Sequence, residues 1–498
     1  MRWRIGNALR RLFGGGNGGA PTGQRSGFLL RRNAVAKYDA AQTTVENRRH
    51  WVNADGLSAA AANSAYVRRT LRNRARYETA NNSYARGIVD TLANDTIGRG
   101  PRFQFLSADL DANQRVENSF AAWAREIRLA EKLRTLRKAK ATDGEALAVF
   151  TTNRALRHAV KLDVRPFECD HLDTPPFMSQ IRDGSIVEGI EFDAERNPAF
   201  YHVCRVFPNE LGALDRGNWD RLPVEKVLHW FTTHRPGQIR GIPDLTPALP
   251  LFAQLRRFTL AVLAAAETAA DFAGIVYTDA PANGESAEMD PFLPIEIEQR
   301  ILSTLPAGWK MEQLKAEQPA TTYPQFKAEL LAEIARCLQM PFNVASGNSS
   351  GYNYASGRLD VQVYARAIGV EQDELAIVLL DRIVSAWLDE AALSVPGLLP
   401  DARMLPAGLL YPYFWDGREQ VDPAKEANAQ ATRLANHTTT LASEYAARGI
   451  DWREALRQRA AEVQYAAELG LPLAPPGSSG SQSTIDPAND GETIVEQQ

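Results

Sequence analysis

Apolar residues recur at the spacing of a helix over residues 63–98. Gly98 and Gly100 end this pattern, so the sequence predicts one amphipathic helix there. The residues on its apolar side are Leu71, Ala75, Tyr84, Ile88 and Leu92. The stretches 116–130 and 131–150 predict two further helices, and the second of these leads into a strand.

Short apolar runs that are typical of β-strands follow, separated by turn residues. The runs lie at 144–152, 159–168, 184–193, 198–207 and 224–233. The turn residues 194–198 predict a β-hairpin between two of them. Helices followed by several short strands predict an α+β body over residues 100–240.

The pattern changes at residue 241, where prolines suited to a helix start precede a helix of roughly 25 residues that ends at Gly274. Its most apolar part, residues 258–276, contains Glu267 and Asp271 and is rich in alanine. A membrane span of about 20 residues would be more apolar and uncharged. We therefore interpret this stretch as a closely packed helix of a soluble protein and expect no membrane contact.

The remaining pattern alternates between helices and short irregular segments. Its predicted order is a turn-rich knob at 275–319, a helix at 323–342, a helix at 356–393, a strand at 408–417 and paired helices up to residue 472. A neutral stretch, GNSSGYNYASG, separates two of the helices. From residue 473 onwards the composition is that of a disordered tail.

Charge and cysteine content exclude some classes of protein. The 498 residues carry a net charge of −4 and three cysteines, whereas a protein that holds DNA tightly is usually basic over one domain. Scattered cysteines indicate a reducing compartment without a disulfide framework. Residues 1–50 carry ten Lys and Arg against two acids, and residues 471–498 carry four acids and no base. The two ends are either solubilising tails or, for the first, a basic arm that meets nucleic acid or an acidic partner.

The helix predicted at 63–98 also carries a run of arginines. They are Arg68, Arg69, Arg72, Arg74 and Arg76. Two interpretations stay open: these side chains contact phosphate, or they form a solvated or salt-bridged face, which is the commoner fate of such a run.

No motif in the sequence predicts catalysis, a cofactor or a metal. The neutral stretch has no P-loop lysine, and its glycine spacing is wrong for phosphate binding. Cys169, Asp170, His171 and Asp173 are possible ligands, but neighbours on an extended chain point to opposite faces, so we predict a structural turn. Asp143 and Glu145 are paired acids, but we predict only a turn that opens a strand. The histidines show no spacing of a triad, and no G-x-S-x-G elbow is present.

The order of the predicted elements resembles that of bacteriophage portal proteins of the lambda type. Four stretches carry the resemblance: RNRARYETANNSYARGIVDTLANDTIGRGPR, DGEALAVF, QMPFNVASGNSSGYNYASGRL and WDGREQVDPAKEANA. The resemblance implies an α+β portal fold, assembled as a ring at a capsid vertex. It implies a basic arm at 1–50, a wing at 51–242, stem helices at 243–274 and 323–342, a clip at 275–322, a tunnel loop at 343–355, a long wing and tunnel helix at 356–394, a crown at 395–472 and an acidic tail at 473–498.

The resemblance also implies a function and partners. The ring, usually of twelve subunits, passes double-stranded DNA during packaging and ejection, and it docks the large subunit of the terminase motor, a head–tail connector, and the major capsid protein or a scaffold. It implies location in the virion and assembly in the host cytoplasm. The residues expected to face DNA in the tunnel are Asn348, Ser349, Ser350, Tyr352, Asn353 and Tyr354.

Physical reasoning about the loop and the alanine run agrees with this implication. DNA carries one charge per ~1.7 Å, and neutralised phosphates add affinity, so a neutral loop keeps a moving duplex from being held. An ordinary linker between helices is the alternative. The alanine run 261–270 suits close packing of helices between subunits or within one chain. A nucleic-acid-packaging enzyme, another head protein and a monomeric DNA-binding module are the rival functions.

Overall fold

The computed structural model describes residues 44–46, 48–107, 109–175, 186–208, 218–271, 275–278, 309–312, 322–399, 412–416 and 423–471. Most of the basic arm, most of the predicted clip, the end of the first long helix at Gly274 and the acidic tail lie outside the described residues. The chain divides into two units, Met1–Leu57 and Ser58–Gln498. In the first unit, the described residues form turns, such as the one closed by the Arg48 amide on the Thr44 carbonyl at 3.1 Å.

The first part of the second unit is helical and leads into a strand, as the pattern predicts. Its elements are α1 (Ala59–Ala62), α2 (Ala65–Asn81), α3 (Ser83–Ile97), β1 (Arg102–Phe103), α4 (Leu110–Glu126), α5 (Leu129–Asp143) and β2 (Glu145–Thr152). The single helix predicted over 63–98 is wrong in one respect. Asn82 has an extended backbone and its side chain accepts from the amides of Tyr84 and Ala85, so it caps a new helix and divides the stretch in two.

Two antiparallel sheets follow, and β2 belongs to the first of them. The further strands are β3 (Leu162–Phe167), β4 (Ile186–Val187), β5 (Ile190–Phe192), β6 (Pro198–Cys204), β7 (Trp219–Pro223) and β8 (Val227–Phe231). One sheet has the order β3-β2-β8 and the other β4-β5-β6-β7. The hairpin predicted around residues 194–198 is confirmed, since Glu191 pairs with Phe200.

The later part of the chain is mainly helical. Its elements are α6 (Leu249–Asp271), β9 (Ile275–Thr278), β10 (Trp309–Glu312), α7 (Tyr323–Cys337), α8 (Phe342–Ser346), α9 (Tyr354–Leu375), a π-helical turn (Ala376–Leu380), α10 (Asp381–Ser394), β11 (Tyr413–Phe414), α11 (Pro423–Ala435), α12 (Leu441–Ala446) and α13 (Trp452–Glu468). Strands β9 and β10 pair with each other, and β11 pairs with β1. The α+β fold class is therefore confirmed.

Among the described residues of the second unit, three clusters of buried apolar side chains form its core. The largest lies between α4, α5, the first sheet and α10, and contains Trp123, Trp230 and Trp387. The second joins α2 and α3 to α6, α7, α8 and α9 through Ile88 and Phe252. The third lies between the two sheets and contains, for example, Leu147 and Tyr201. The second cluster is the one that positions the neutral loop, because the elements on both sides of that loop belong to it.

Candidate functional site

The neutral loop is shorter than the sequence predicts. Residues 342–346 form the short helix α8, and α9 already begins at Tyr354, so the loop itself comprises residues 347–353. Gly347 ends α8 in the left-handed region at a φ of 66°, a conformation that glycine adopts without steric cost. At the other end Asn353 caps α9, and its Oδ1 accepts from the Ser356 amide at 2.9 Å.

The loop exposes polar, uncharged groups. Asn348, Ser349, Ser350 and Asn353 are exposed and Tyr352 is half-buried. The Asn348 Oδ1 accepts from the Ser350 amide at 2.9 Å, which is an Asx turn that fixes the first half of the loop. No residue from 337 to 357 carries a charged side chain. Five of the six predicted tunnel residues therefore lie together in one neutral loop, and the sixth, Tyr354, opens the helix behind it.

The helices that hold the loop are anchored in the second core cluster. Ile334 of α7, Ala345 of α8 and Tyr364 of α9 are buried there. The Tyr364 hydroxyl also donates to Asp95 Oδ2 at 2.8 Å, and the Gln372 side-chain amide donates to the Thr96 carbonyl at 3.0 Å. Both contacts connect α9 to the end of α3, so the base of the loop is fixed while its tip reaches solvent.

The solvent side of α9 and of the π-helical turn that follows it carries exposed apolar side chains. Leu359, Val363, Val370 and Ile377 are 63%, 62%, 59% and 68% exposed. Their separations of four, seven and seven residues place them along one side of the helix, which we name the α9 stripe. Helix α6 exposes Leu260 and Leu263 in the same way.

The arginine run of α2 is resolved into two sets. Arg68, Arg72 and Arg76 recur every four residues on the inner side of the helix, where Arg68 pairs with Glu188. Arg72 contacts Asp170 at 2.6 Å and Arg76 contacts Asp143 at 2.7 Å. These three side chains form the salt-bridged face that the sequence left as one of two alternatives. Arg69 and Arg74 are exposed on the outer side.

The possible metal ligands around Cys169 form a structural turn, as predicted. Cys169–His171 is a short 3₁₀ turn, and burial raises the pKa of the Cys169 thiol. The His171 Nδ1 lies 2.7 Å from the Cys204 carbonyl oxygen. Asp170 forms ion pairs with two arginines of α2. Within the described ranges, no group of three or more His, Cys, Asp and Glu side chains has an arrangement that would hold a metal.

Glu145 has a role that its position at the start of β2 does not reveal. Its carboxylate is fully buried and accepts from Arg240 Nε at 2.8 Å and from His229 Nε2 at 3.1 Å. Burial opposes ionisation, yet Arg240 and His229 hold the pKa of Glu145 well below its usual range. The pKa of His229 is lowered by its burial, and its Nδ1 lies 3.3 Å from the Tyr201 hydroxyl. This cluster is structural, since it joins β2 and β8 to the segment that enters α6.

In the part of the chain that the structure describes, one helix, Thr246–Glu267, is long and apolar enough to cross a membrane. It carries Arg256 and Arg257 near its centre, and Arg256 pairs with Glu78 of α2. A charged residue at the centre of a spanning helix costs about 2.5–3.5 kcal/mol. The two arginines therefore argue against a membrane span.

Comparison with known proteins assigns the class. The family model of phage portal proteins of the lambda family matches residues 46–372, about two thirds of the chain. The probable portal protein of Halomonas phage phiHAP-1 is 24% identical over 433 residues, which covers 81% of this chain and 82% of that protein.

Solved structures give more distant similarities. A chain in the neck of an empty gene transfer agent (GTA) particle is similar over 80% of this chain and 93% of its own length, at 14% identity and a TM-score of 0.43. An HK97-family phage portal protein from Corynebacterium diphtheriae covers 66% and 98%, at 13% identity and a TM-score of 0.28. The family match, not these similarities, decides the assignment.

The chain is thus a structural component of a phage-type head, with an α+β fold. It belongs to the lambda family of phage portal proteins. Portal proteins stand at a vertex of the capsid, where they form the channel for DNA packaging and ejection and the docking site of the packaging motor. The resemblance deduced from the sequence is therefore confirmed. The family is a structural one, in line with the absence of a catalytic motif in the sequence.

Proposed function

We propose that this chain is one subunit of a closed ring of about twelve copies, through which double-stranded DNA passes, with the loop 347–353 facing the channel. In this proposal residues 51–242 are the wing, 243–274 and 323–342 the stem helices, 356–394 the long wing and tunnel helix, and 395–472 the crown. The clip, residues 275–322, meets the terminase large subunit and later the head–tail connector. The outer surface meets the major capsid protein or a scaffold, and assembly takes place in the host cytoplasm.

The observation that carries the ring is the α9 stripe. Four large aliphatic side chains that are more than half exposed along α9 and the π-helical turn after it are an unfavourable surface for a lone chain in water, and such surfaces mark interaction sites. Helix α6 supplies a second exposed apolar surface at Leu260 and Leu263. Two different surfaces suit a head-to-tail interface, which closes into a ring when each copy offers one surface to each neighbour.

The chemistry of the loop supports its position at the channel. Each phosphate that a cation neutralises strengthens binding and makes it dependent on salt. The loop offers only hydroxyl, amide and backbone groups, which form weak hydrogen bonds that re-form at every position of a sliding duplex. The nearest charged residue on its carboxyl side is Arg358, one turn into α9. The loop is therefore suited to guide DNA without retaining it.

The direct test is the mass of the purified full-length protein. Native mass spectrometry or light scattering is expected to give a particle of about twelve subunits, each of 54.9 kDa, and electron microscopy is expected to show a ring with a central opening. Single chains under every condition of salt, pH and protein concentration would contradict the proposal. An assembly without a central opening would contradict the channel.

A further inference from the structure

One side chain of α5 contacts both the segment that enters α6 and the helix behind the loop. Arg137 Nη1 lies 3.1 Å from Asp244 Oδ2, and Arg137 Nε lies 3.3 Å from Glu371 Oε1. Asp244 belongs to the segment that leads from β8 into α6, and Glu371 lies in α9. The guanidinium is thus placed between two elements that are more than a hundred residues apart in the sequence.

A second cation of α5 holds the same carboxylate. Lys140 Nζ lies 2.5 Å from Glu371 Oε1 and 4.8 Å from the ring centre of Trp230. Arg137 and Lys140 are one turn apart on the same side of α5, and their side chains are only 4% and 1% exposed. Burial opposes ionisation of Glu371, yet Arg137 and Lys140 lower its pKa. Unpaired buried charges are costly, so these four side chains fix one another's positions.

The cluster borders open space beside α9. An open cleft of about 430 Å³ borders it, with Val370 and Glu374 of α9 on one side and Gln339 on the other. About one turn after Glu371, the helix passes through the π-helical turn Ala376–Leu380. Such turns interrupt the regular hydrogen bonding of a helix and often mark functional places.

We propose that Arg137 is a positioning residue, which sets α9 and the loop at its amino-terminal end relative to the start of α6. Its guanidinium donates to Asp244 and at the same time lies beside the Glu371 carboxylate, whereas a lysine at this position offers only one compact point charge. The loop's contact with DNA rests on the function proposed above. The positional claim does not, because it concerns one chain.

Hydrogen–deuterium exchange of the full-length protein tests the claim. If Arg137 couples the start of α6 to α9, a substitution in either segment must affect exchange in the other. The variants are Asp244→Asn, Glu371→Gln and Arg137→Lys. Asp244→Asn is expected to speed exchange in α9 by about tenfold, and Glu371→Gln is expected to do so in the first turns of α6. Arg137→Lys is expected to affect both segments. The matched control is Asp163→Asn, which removes the partner of Lys132 on the same helix and is expected to change neither segment.

Two outcomes would overturn the proposal. In the first, each substitution speeds exchange only in the element that carries it, so that no coupling passes through Arg137. In the second, the variants speed exchange throughout the chain, α4 included, so that the residue supports the whole fold and positions nothing in particular. The exchange experiment needs neither a ring nor DNA, so its failure is distinct from failure of the mass measurement.

Discussion

The backbone of Gly241 lies directly against the carbonyl oxygen of Gly144, without space for a side chain between them. A Cβ atom on Gly241 would come within 1.9 Å of that oxygen, and one on Gly144 would lie 2.5 Å from the carbonyl carbon of Ile242. Gly144 joins α5 to β2, with a φ of 91°, and Gly241 precedes α6. This contact therefore fixes where the first long helix leaves the α+β body.

We expect Gly241→Ala to lower the free energy of unfolding by about 1–3 kcal/mol, because the added methyl group overlaps backbone that cannot move aside cheaply. Urea unfolding followed by circular dichroism measures the change. Gly87→Ala is the matched control, since nothing lies within 4 Å of a Cβ at that exposed position of α3. Alanine is favoured there by about 0.5–1 kcal/mol. Equal effects of the two substitutions would refute the close contact.

Removing the charge of Glu145 is expected to destabilise the protein more strongly. Glu145→Gln leaves the buried guanidinium of Arg240 without its carboxylate, and a broken buried ion pair costs about 3–5 kcal/mol. Glu131→Gln serves as control, because its pair with Arg128 is exposed and such pairs contribute less than about 1 kcal/mol. Thermal unfolding of both variants at neutral pH makes the comparison. A melting temperature of Glu145→Gln equal to that of the control would rule out the buried pair as a main contribution.

Stability is expected to fall with acid because of His229. Burial lowers the pKa of His229 from its ordinary 6.5, so the unfolded chain takes up the proton first. The stabilisation is complete above pH 6.5 and is lost as the pH falls towards the lowered pKa, by up to about 1.4 kcal/mol per pH unit. His229→Gln is expected to reduce the pH dependence of the free energy of unfolding, measured with urea between pH 6.5 and 5. His234→Gln, at an exposed position, is expected to leave that pH dependence unchanged. If His229→Gln keeps the same pH dependence of stability, His229 is not its cause.

The α9 stripe gives a prediction about assembly. Val370→Glu places a charge in the centre of the apolar surface and is expected to prevent ring formation while the chain keeps its circular dichroism spectrum and melting temperature. Gln362→Glu adds the same charge at another exposed position of α9 and is expected to assemble normally. Size-exclusion chromatography with light scattering separates rings from single chains. Rings of normal size from Val370→Glu would place the subunit interface elsewhere.

The neutral loop gives a prediction about DNA movement. The double variant Ser349→Lys and Ser350→Lys adds two cations that bind phosphates, so packaging is expected to slow or stall, most strongly at low salt. The control is Ser349→Thr with Ser350→Thr, which keeps the loop neutral. Packaging by assembled particles with the motor is measured as DNA protected from nuclease per unit time. If the lysine variant packages as fast as the control, the loop does not contact the moving duplex.

The fold could be predicted from the sequence where local rules decide it. The helix that runs into β2 and the hairpin around residues 194–198 follow from apolar spacing and turn residues. The break at Asn82 was missed because capping there competes with a continuous apolar pattern, and β7 was missed because it is short and carries charged residues. The loop was predicted too long at both ends, since α8 is a single short helix after Pro341.

The chemical character of the candidate site could be predicted from the sequence, but the contacts between its residues could not. The absence of charge near residue 350 can be read directly, and the neutral loop followed from it. The roles of Glu145 and Arg137 could not be seen, because Arg240 and Glu371 lie 95 and 234 residues further along the chain. The spacing of four residues between Arg68, Arg72 and Arg76 indicates that they share one side of the helix, but not that this side is the inner one. Their partners belong to distant strands and turns that only the folded chain brings near.

The residues that fix the two ends of the loop are not among its four central residues. Gly347 stops one helix and Asn353 starts the next, so Ser349, Ser350, Gly351 and Tyr352 can change without altering either helix. In the proposed ring, evolution can therefore adjust the friction between the channel wall and the DNA by exchanging these few side chains, while the helices on both sides stay unchanged.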